Sequence, residues 1–149
     1  MGDHAARLLP ILDKVDTKAW IAKGASETYA AQLQSSKEQA KAMADAGRAL
    51  ARNPEKLSAS LELWFRIEGL ETMLASLEDG IAKYQDPQLA QQLAAVSGEN
   101  GVNRERFRTY IVNLAAEREQ QFEVMDREAQ RCRALLAPTS PPKTSGRKR

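Results

Sequence analysis

The sequence predicts an all-α fold, an elongated antiparallel bundle of three long helices with a short helix and a helical N-terminal segment. Three observations carry that reading. Leu63, Ile67, Leu70, Leu74, Leu77, Ile81 and Tyr84 recur at alternating steps of four and three, the apolar seam of a helix packed lengthwise on others. Alternating apolar and polar runs rich in β-branched residues are absent, and Ala, Leu, Glu, Gln, Arg and Lys, all strong helix formers, dominate. Helix-start chemistry also recurs, as Asn53-Pro54-Glu55 and as Asp86-Pro87: a capping side chain is followed by proline at the first helical position.

Residues 3–22 place Leu8, Leu9, Ile11, Leu12, Val15, Trp20 and Ile21 on short helices interrupted at Pro10 and at Asp16-Thr17. That is too apolar for a free arm. Lys23-Gly24-Ala25-Ser26-Glu27 then reads as a glycine stop followed by a serine start, opening a helix over 26–52. Its seam is Tyr29, Leu33, Ser36, Ala40, Met43, Gly47 and Leu50, and the small members let neighbouring backbones come close while burying little area each.

The helix expected over 54–84 is apolar beyond its seam, because Leu61, Trp64 and Phe65 add a second face. An N-terminal segment of about 20 residues spans roughly 30 Å if helical, enough to run back over that face. It is expected to be the fourth element of the bundle and to cover these three residues. Uncovered, they would be a partner surface, since exposed aromatic residues anchor interfaces.

A short helix over 87–96 and the loop Ser97-Gly98-Glu99-Asn100-Gly101-Val102-Asn103 lead to a last helix over 104–136. Here Phe107, Ile111 and Leu114 continue to Phe122, Met125, Ala129, Cys132 and Leu136 through an extra four-residue step at Arg118. Such a stutter locally unwinds a supercoil and brings Arg118 to the seam. Its long stem is expected to cross the seam, and Cys132 to be a small core residue. Proline-rich residues 138–149 form a polar, disordered tail, so 1–137 is one helical domain.

Charge narrows the function classes. The net charge is +2, of which Lys143, Arg147, Lys148 and Arg149 supply +4 in the tail, leaving −2 for residues 1–137. A near-neutral body argues against a broad nucleic-acid surface. The densest basic run on it is Arg104, Arg106 and Arg108 around Phe107, in the first turns of a helix, where positive charge is unfavourable.

Catalysis is argued against by residue supply. His4 is the only histidine and Cys132 the only cysteine, so neither a Ser-His pair nor a zinc or di-iron ligand set can be assembled from this chain. No cofactor is expected. The carboxylate pairs Glu68 with Glu71 and Glu78 with Asp79 read as solvated helix faces, because no nucleophile or histidine accompanies them.

The first residues lack the basic and long apolar stretches of a secretory signal, and no run reaches the roughly 20 apolar residues of a membrane span. The compartment stays open: cytoplasmic by default, secreted or periplasmic if a signal has been removed. Helical rhythm specifies no family. The expected function is that of a non-enzymatic bundle acting through surface contacts, with itself or with a protein partner. The alternative is an accessory protein that binds nucleic acid or another polyanion through Arg104, Arg106, Arg108 and the tail.

Overall fold

A computed structural model describes residues 2–99 and 101–138; the tail cations Lys143, Arg147, Lys148 and Arg149 lie outside the described residues. The described chain is 87% helical and holds no strand. Its helices are α1 (Gly2–Leu12), α2 (Thr17–Ala22), α3 (Thr28–Arg52), α4 (Leu57–Tyr84), α5 (Pro87–Gly98) and α6 (Gly101–Leu136). The chain divides into two compact units, the first reaching to Leu114 and the second starting at Ala115.

Helix boundaries follow local chemistry, with three departures from expectation. Asp16 caps α2 by accepting from the Ala19 amide at 3.1 Å, and Asp86 caps α5 by accepting from Gln88 N at 2.9 Å. Gly24, at φ 96°, ends α2 in the left-handed conformation that glycine adopts without strain. Asn53-Pro54-Glu55, by contrast, does not start a helix. Asn53 is the C-cap of α3, and its carbonyl accepts from Lys56 N at 3.2 Å; the chain spends these residues reversing direction, and α4 begins at Leu57. Pro10 does not interrupt α1 either, because it is exposed and the carbonyl it leaves unpaired one turn earlier can face water. The glycine-rich loop expected over 97–103 is shorter than its composition suggests: α5 runs through Gly98 and α6 starts at Gly101.

The core of the first unit is built by α1, α3, α4 and α5. α4 contributes Leu63, Ile67, Leu70, Leu74, Leu77 and Ile81, all buried, and its seam meets Leu33, Ser36, Ala40 and Met43 of α3. The two helices run antiparallel, since Gln39 approaches Arg66 while Gln32 accepts from the Ser76 hydroxyl at 3.1 Å. Buried Ser36 satisfies its hydroxyl locally, donating to the Gln32 carbonyl at 2.8 Å.

The N-terminal segment docks elsewhere than expected. α1 buries Ala5, Leu8, Ile11 and Leu12 against α3 and α5, where its apolar stripe closes the groove between them. Leu61, Trp64 and Phe65 are not its partners. α2 instead closes the opposite end of the bundle through Trp20. That ring is fully buried, edge-on to Tyr29 at 5.4 Å and stacked with Tyr84 at 6.1 Å. Its indole N–H donates to Gln85 Oε1 at 3.0 Å, the same oxygen accepts from Asp16 N at 3.0 Å, and Gln85 Nε2 donates to the Lys14 carbonyl at 2.8 Å.

Gly80 is what lets Trp20 lie this close. A Cβ built there would stand 2.7 Å from the indole and 3.0 Å from the Tyr29 ring, and these rings are too well held to withdraw. Gly80→Ala is therefore expected to lower stability by about 1–3 kcal/mol through overpacking, although alanine is intrinsically favoured over glycine in a helix by about 1 kcal/mol. Gly69→Ala, in the same helix but with nothing within 4 Å, should instead raise stability by up to about 1 kcal/mol. Urea denaturation of both variants checks the contrast. Shifts of the same sign would remove the close-approach role of Gly80.

The described part of the second unit is one helical segment, α6 from Ala115 to Leu136, followed by Ala137 and Pro138. From Ala116 onward its side chains are exposed, including Phe122, Met125, Ala129, Cys132 and Leu136. Cys132 is therefore not a core residue. The heptad rhythm follows one side of the helix, and that side is exposed. Arg118 is exposed too, and its guanidinium donates to Gln121 Oε1 of the same helix at 2.8 Å; its stem does not cross a packed seam.

Candidate contact surface

The second face of α4 meets the first turns of α6. Trp64 is half-buried, with its ring 6.3 Å from that of Phe107, which in turn stacks on Tyr110 at 6.5 Å. The Tyr110 hydroxyl donates to the Pro54 carbonyl, pinning the start of α6 to the turn before α4. Ile111 and Leu114 are buried on the same side. Beyond them the packing opens into a cleft of about 240 Å³ lined by Leu61, Trp64, Phe65, Arg108, Ile111 and Val112. Phe65 remains 66% exposed and Leu61 36%.

Arg104 closes the other end of this face. It forms ion pairs with both Glu68 and Glu71 of α4, and its guanidinium carbon lies 5.6 Å from the Trp64 ring centroid. Glu68 and Glu71, three residues apart, share one helix face, and both are only partly exposed. Burial pushes the Glu71 carboxyl above the ordinary range and Glu68 adds to this, while Arg104 opposes both. Two carboxylates in a partly desolvated position hold a cation better than either alone. Arg104 is thus engaged within the protein.

Arg106 diverges from it. A single residue separates Arg106 from each neighbouring arginine, which turns it to another side of α6, and it lines a shallow exposed depression with Val102, Glu105 and Thr109. Arg108 borders the apolar cleft and pairs with Glu105 at 3.3 Å, an exposed pair of little energetic weight. Arg106 therefore does not join Arg104 and Arg108 in one patch. Sequence reasoning missed the partners of Arg104, although the three-residue spacing of Glu68 and Glu71 was a usable signal for a two-carboxylate clamp. It also missed that Arg108, Ile111 and Val112 complete the wall opposite Leu61 and Phe65.

A smaller cavity, about 20 Å³, is about the size of one water molecule. It lies where α1, α3, α4, α5 and α6 approach one another, and His4, Glu71 and Arg104 contribute to its lining. His4 is buried, which lowers its pKa; neighbouring Arg7 lowers it further and Glu99 acts in the opposite sense. Burial likewise raises the Glu78 carboxyl, with Asp79 adding to the shift and the neighbouring Ser97 hydroxyl opposing it. Among the described residues no three His, Cys, Asp or Glu side chains are placed to hold a metal, and no helix is long and apolar enough to cross a membrane. Comparison of the chain with protein-family models, curated proteins and solved structures found no match to any of them.

Proposed function

We propose that this is a non-enzymatic helical protein that acts through surface contacts, and that the cleft between α4 and the start of α6 is one of its contact surfaces. The observation that supports this most is Phe65, a large apolar ring two-thirds exposed beside Leu61 on one wall, with Val112 exposed on the other. Exposed apolar residues scattered singly are ordinary; several converging on one concave surface, with an aromatic residue at its centre, resemble an anchor pocket. Arg108 gives the rim a polar group that can fix the orientation of what binds.

Polyanion binding ranks below this reading, because Arg104 is held by two carboxylates and Arg106 and Arg108 face apart. One experiment addresses both. A photo-crosslinking phenylalanine analogue at Phe65 is expected to give a discrete protein adduct in cells, while the same analogue at exposed Asp79 gives none. A short DNA duplex should show negligible binding at about 0.15 M salt, where the Debye length is about 8 Å. No adduct at position 65 would overturn the cleft as a contact surface. Tight duplex binding that survives truncation after Ala137 would put the polyanion reading first, because it requires a basic surface on the helices themselves.

A further inference from the structure

The second unit carries a seam that its single helix cannot cover. Phe122, Met125, Ala129, Cys132 and Leu136 recur at alternating steps of three and four, and all are exposed, Phe122 by 71% and Met125 by 65%. The same register extended upstream includes Ala115 and Arg118, so the pattern spans roughly three heptads. The segment prolongs α6 past its buried residues Ile111 and Leu114, whereas helices in proteins draw most of their stability from packing an apolar face. Charged residues occupy most of the remaining circumference, which confines the apolar stripe to a narrow line. That is the shape of a two-helix contact rather than of a helix laid on a broad core.

The flanking residues indicate which helix fits. With Phe122, Ala129 and Leu136 at the first heptad position and Met125 and Cys132 at the fourth, one flank carries Glu119, Asp126 and Arg133, and the other Gln121, Glu128 and Leu135. Two copies running parallel and in register match every apolar layer with itself. They also set Glu128 of each copy against Arg133 of the other, an opposite-charge pair repeated by the two-fold symmetry. An antiparallel pairing matched between Phe122 and Cys132 also gains two opposite-charge pairs, Glu119 with Arg133, but it sets Asp126 against Asp126 and Glu128 against Glu128, repulsions that the parallel flanks do not have. Charge therefore favours the parallel arrangement. Arg118, the one charged residue on the seam, falls opposite its own copy at the upstream end, where a polar seam residue lowers stability and fixes register.

We propose that residues 115–136 form a parallel two-stranded coiled coil with the same segment of a second copy of this chain. The proposal rests on the reading of the protein as one that acts through contacts, and it supplies the partner and surface for self-association, separate from the α4–α6 cleft.

Sedimentation equilibrium of the full chain tests it, with a dimer expected in the micromolar range. Met125→Glu buries two carboxylates in one layer of the dimer and should weaken association at least about tenfold, whereas Glu123→Gln, off the seam, should leave it unchanged. Circular dichroism verifies that both variants keep the helices of the first unit. A short bis-maleimide should join two copies through Cys132 and, in a Cys132→Ala chain, through Leu136→Cys. The antiparallel pairing described above would hold the two residues at position 136 roughly 27 Å apart, beyond the reach of such a reagent.

A chain that stays monomeric overturns the proposal, as does a dimer that survives Met125→Glu. A dimer that does not crosslink through position 136 overturns the parallel register, whatever happens at Cys132. None of these results touches the photo-crosslink at Phe65, so failure of the coiled coil and failure of the contact reading are separately visible.

Discussion

Trp20→Ala is expected to destabilise the first unit by about 3–5 kcal/mol, a large share of the roughly 5–15 kcal/mol that typically holds a domain folded. The substitution removes a fully buried ring from its three-ring cluster with Tyr29 and Tyr84, and Gly80 has no side chain to fill the space. It also takes away one of the two donors to Gln85 Oε1, the oxygen that joins the α1–α2 connection to the end of α4. Trp20→Phe keeps much of the packing but not the donor, so it should cost less, with a hydrogen-bond component of about 1 kcal/mol. Urea denaturation measures both. If Trp20→Ala shifted stability by less than the phenylalanine variant, α2 would not be closing the bundle.

Leu74→Ala is expected to cost about 2–4 kcal/mol. Leu74 is buried at the middle of the α4 seam, between Leu70 and Leu77, and it already borders the small cavity beside Met43, Ile67 and Leu70. Truncation enlarges that void rather than creating an isolated one, and four packed helices leave little freedom to collapse into it. Asp79→Ala, exposed on the same helix, should change stability by less than about 0.5 kcal/mol. Similar small effects at both positions would mean that α4 does not present this face to the core.

The seams of α3 and α4 were legible because each repeats at fixed steps and one short turn joins them, which forces the two helices to pair. Docking of the N-terminal segment was not. Periodicity showed that Leu8, Ile11 and Leu12 are apolar and on one side, but any groove of matching width satisfies that condition, and the groove between α3 and α5 is lined by small residues such as Ala44 and Ala90 that admit α1 closely. Leu61, Trp64 and Phe65 were visible as a second apolar face, whereas the wall opposite them depended on where α6 crosses. The case of Cys132 is sharper: its place in the apolar rhythm predicted burial in the core, and it is exposed. The partners of Arg104 were not legible because Glu68 and Glu71 are remote from it in sequence.

The tryptophans have a spectroscopic consequence. There are two in the chain, Trp20 and Trp64. One is sealed among aromatic rings at the end of the bundle, and the other is half-open beneath the Arg104 guanidinium at the edge of the cleft. Intrinsic fluorescence therefore carries two separable signals. Trp64→Phe leaves an emission that follows unfolding of the core alone, and Trp20→Phe leaves one that responds to whatever displaces water from Leu61 and Phe65. The protein thus carries its own label for occupancy of the cleft, and a titrated partner can be detected by a change in colour without attaching a dye.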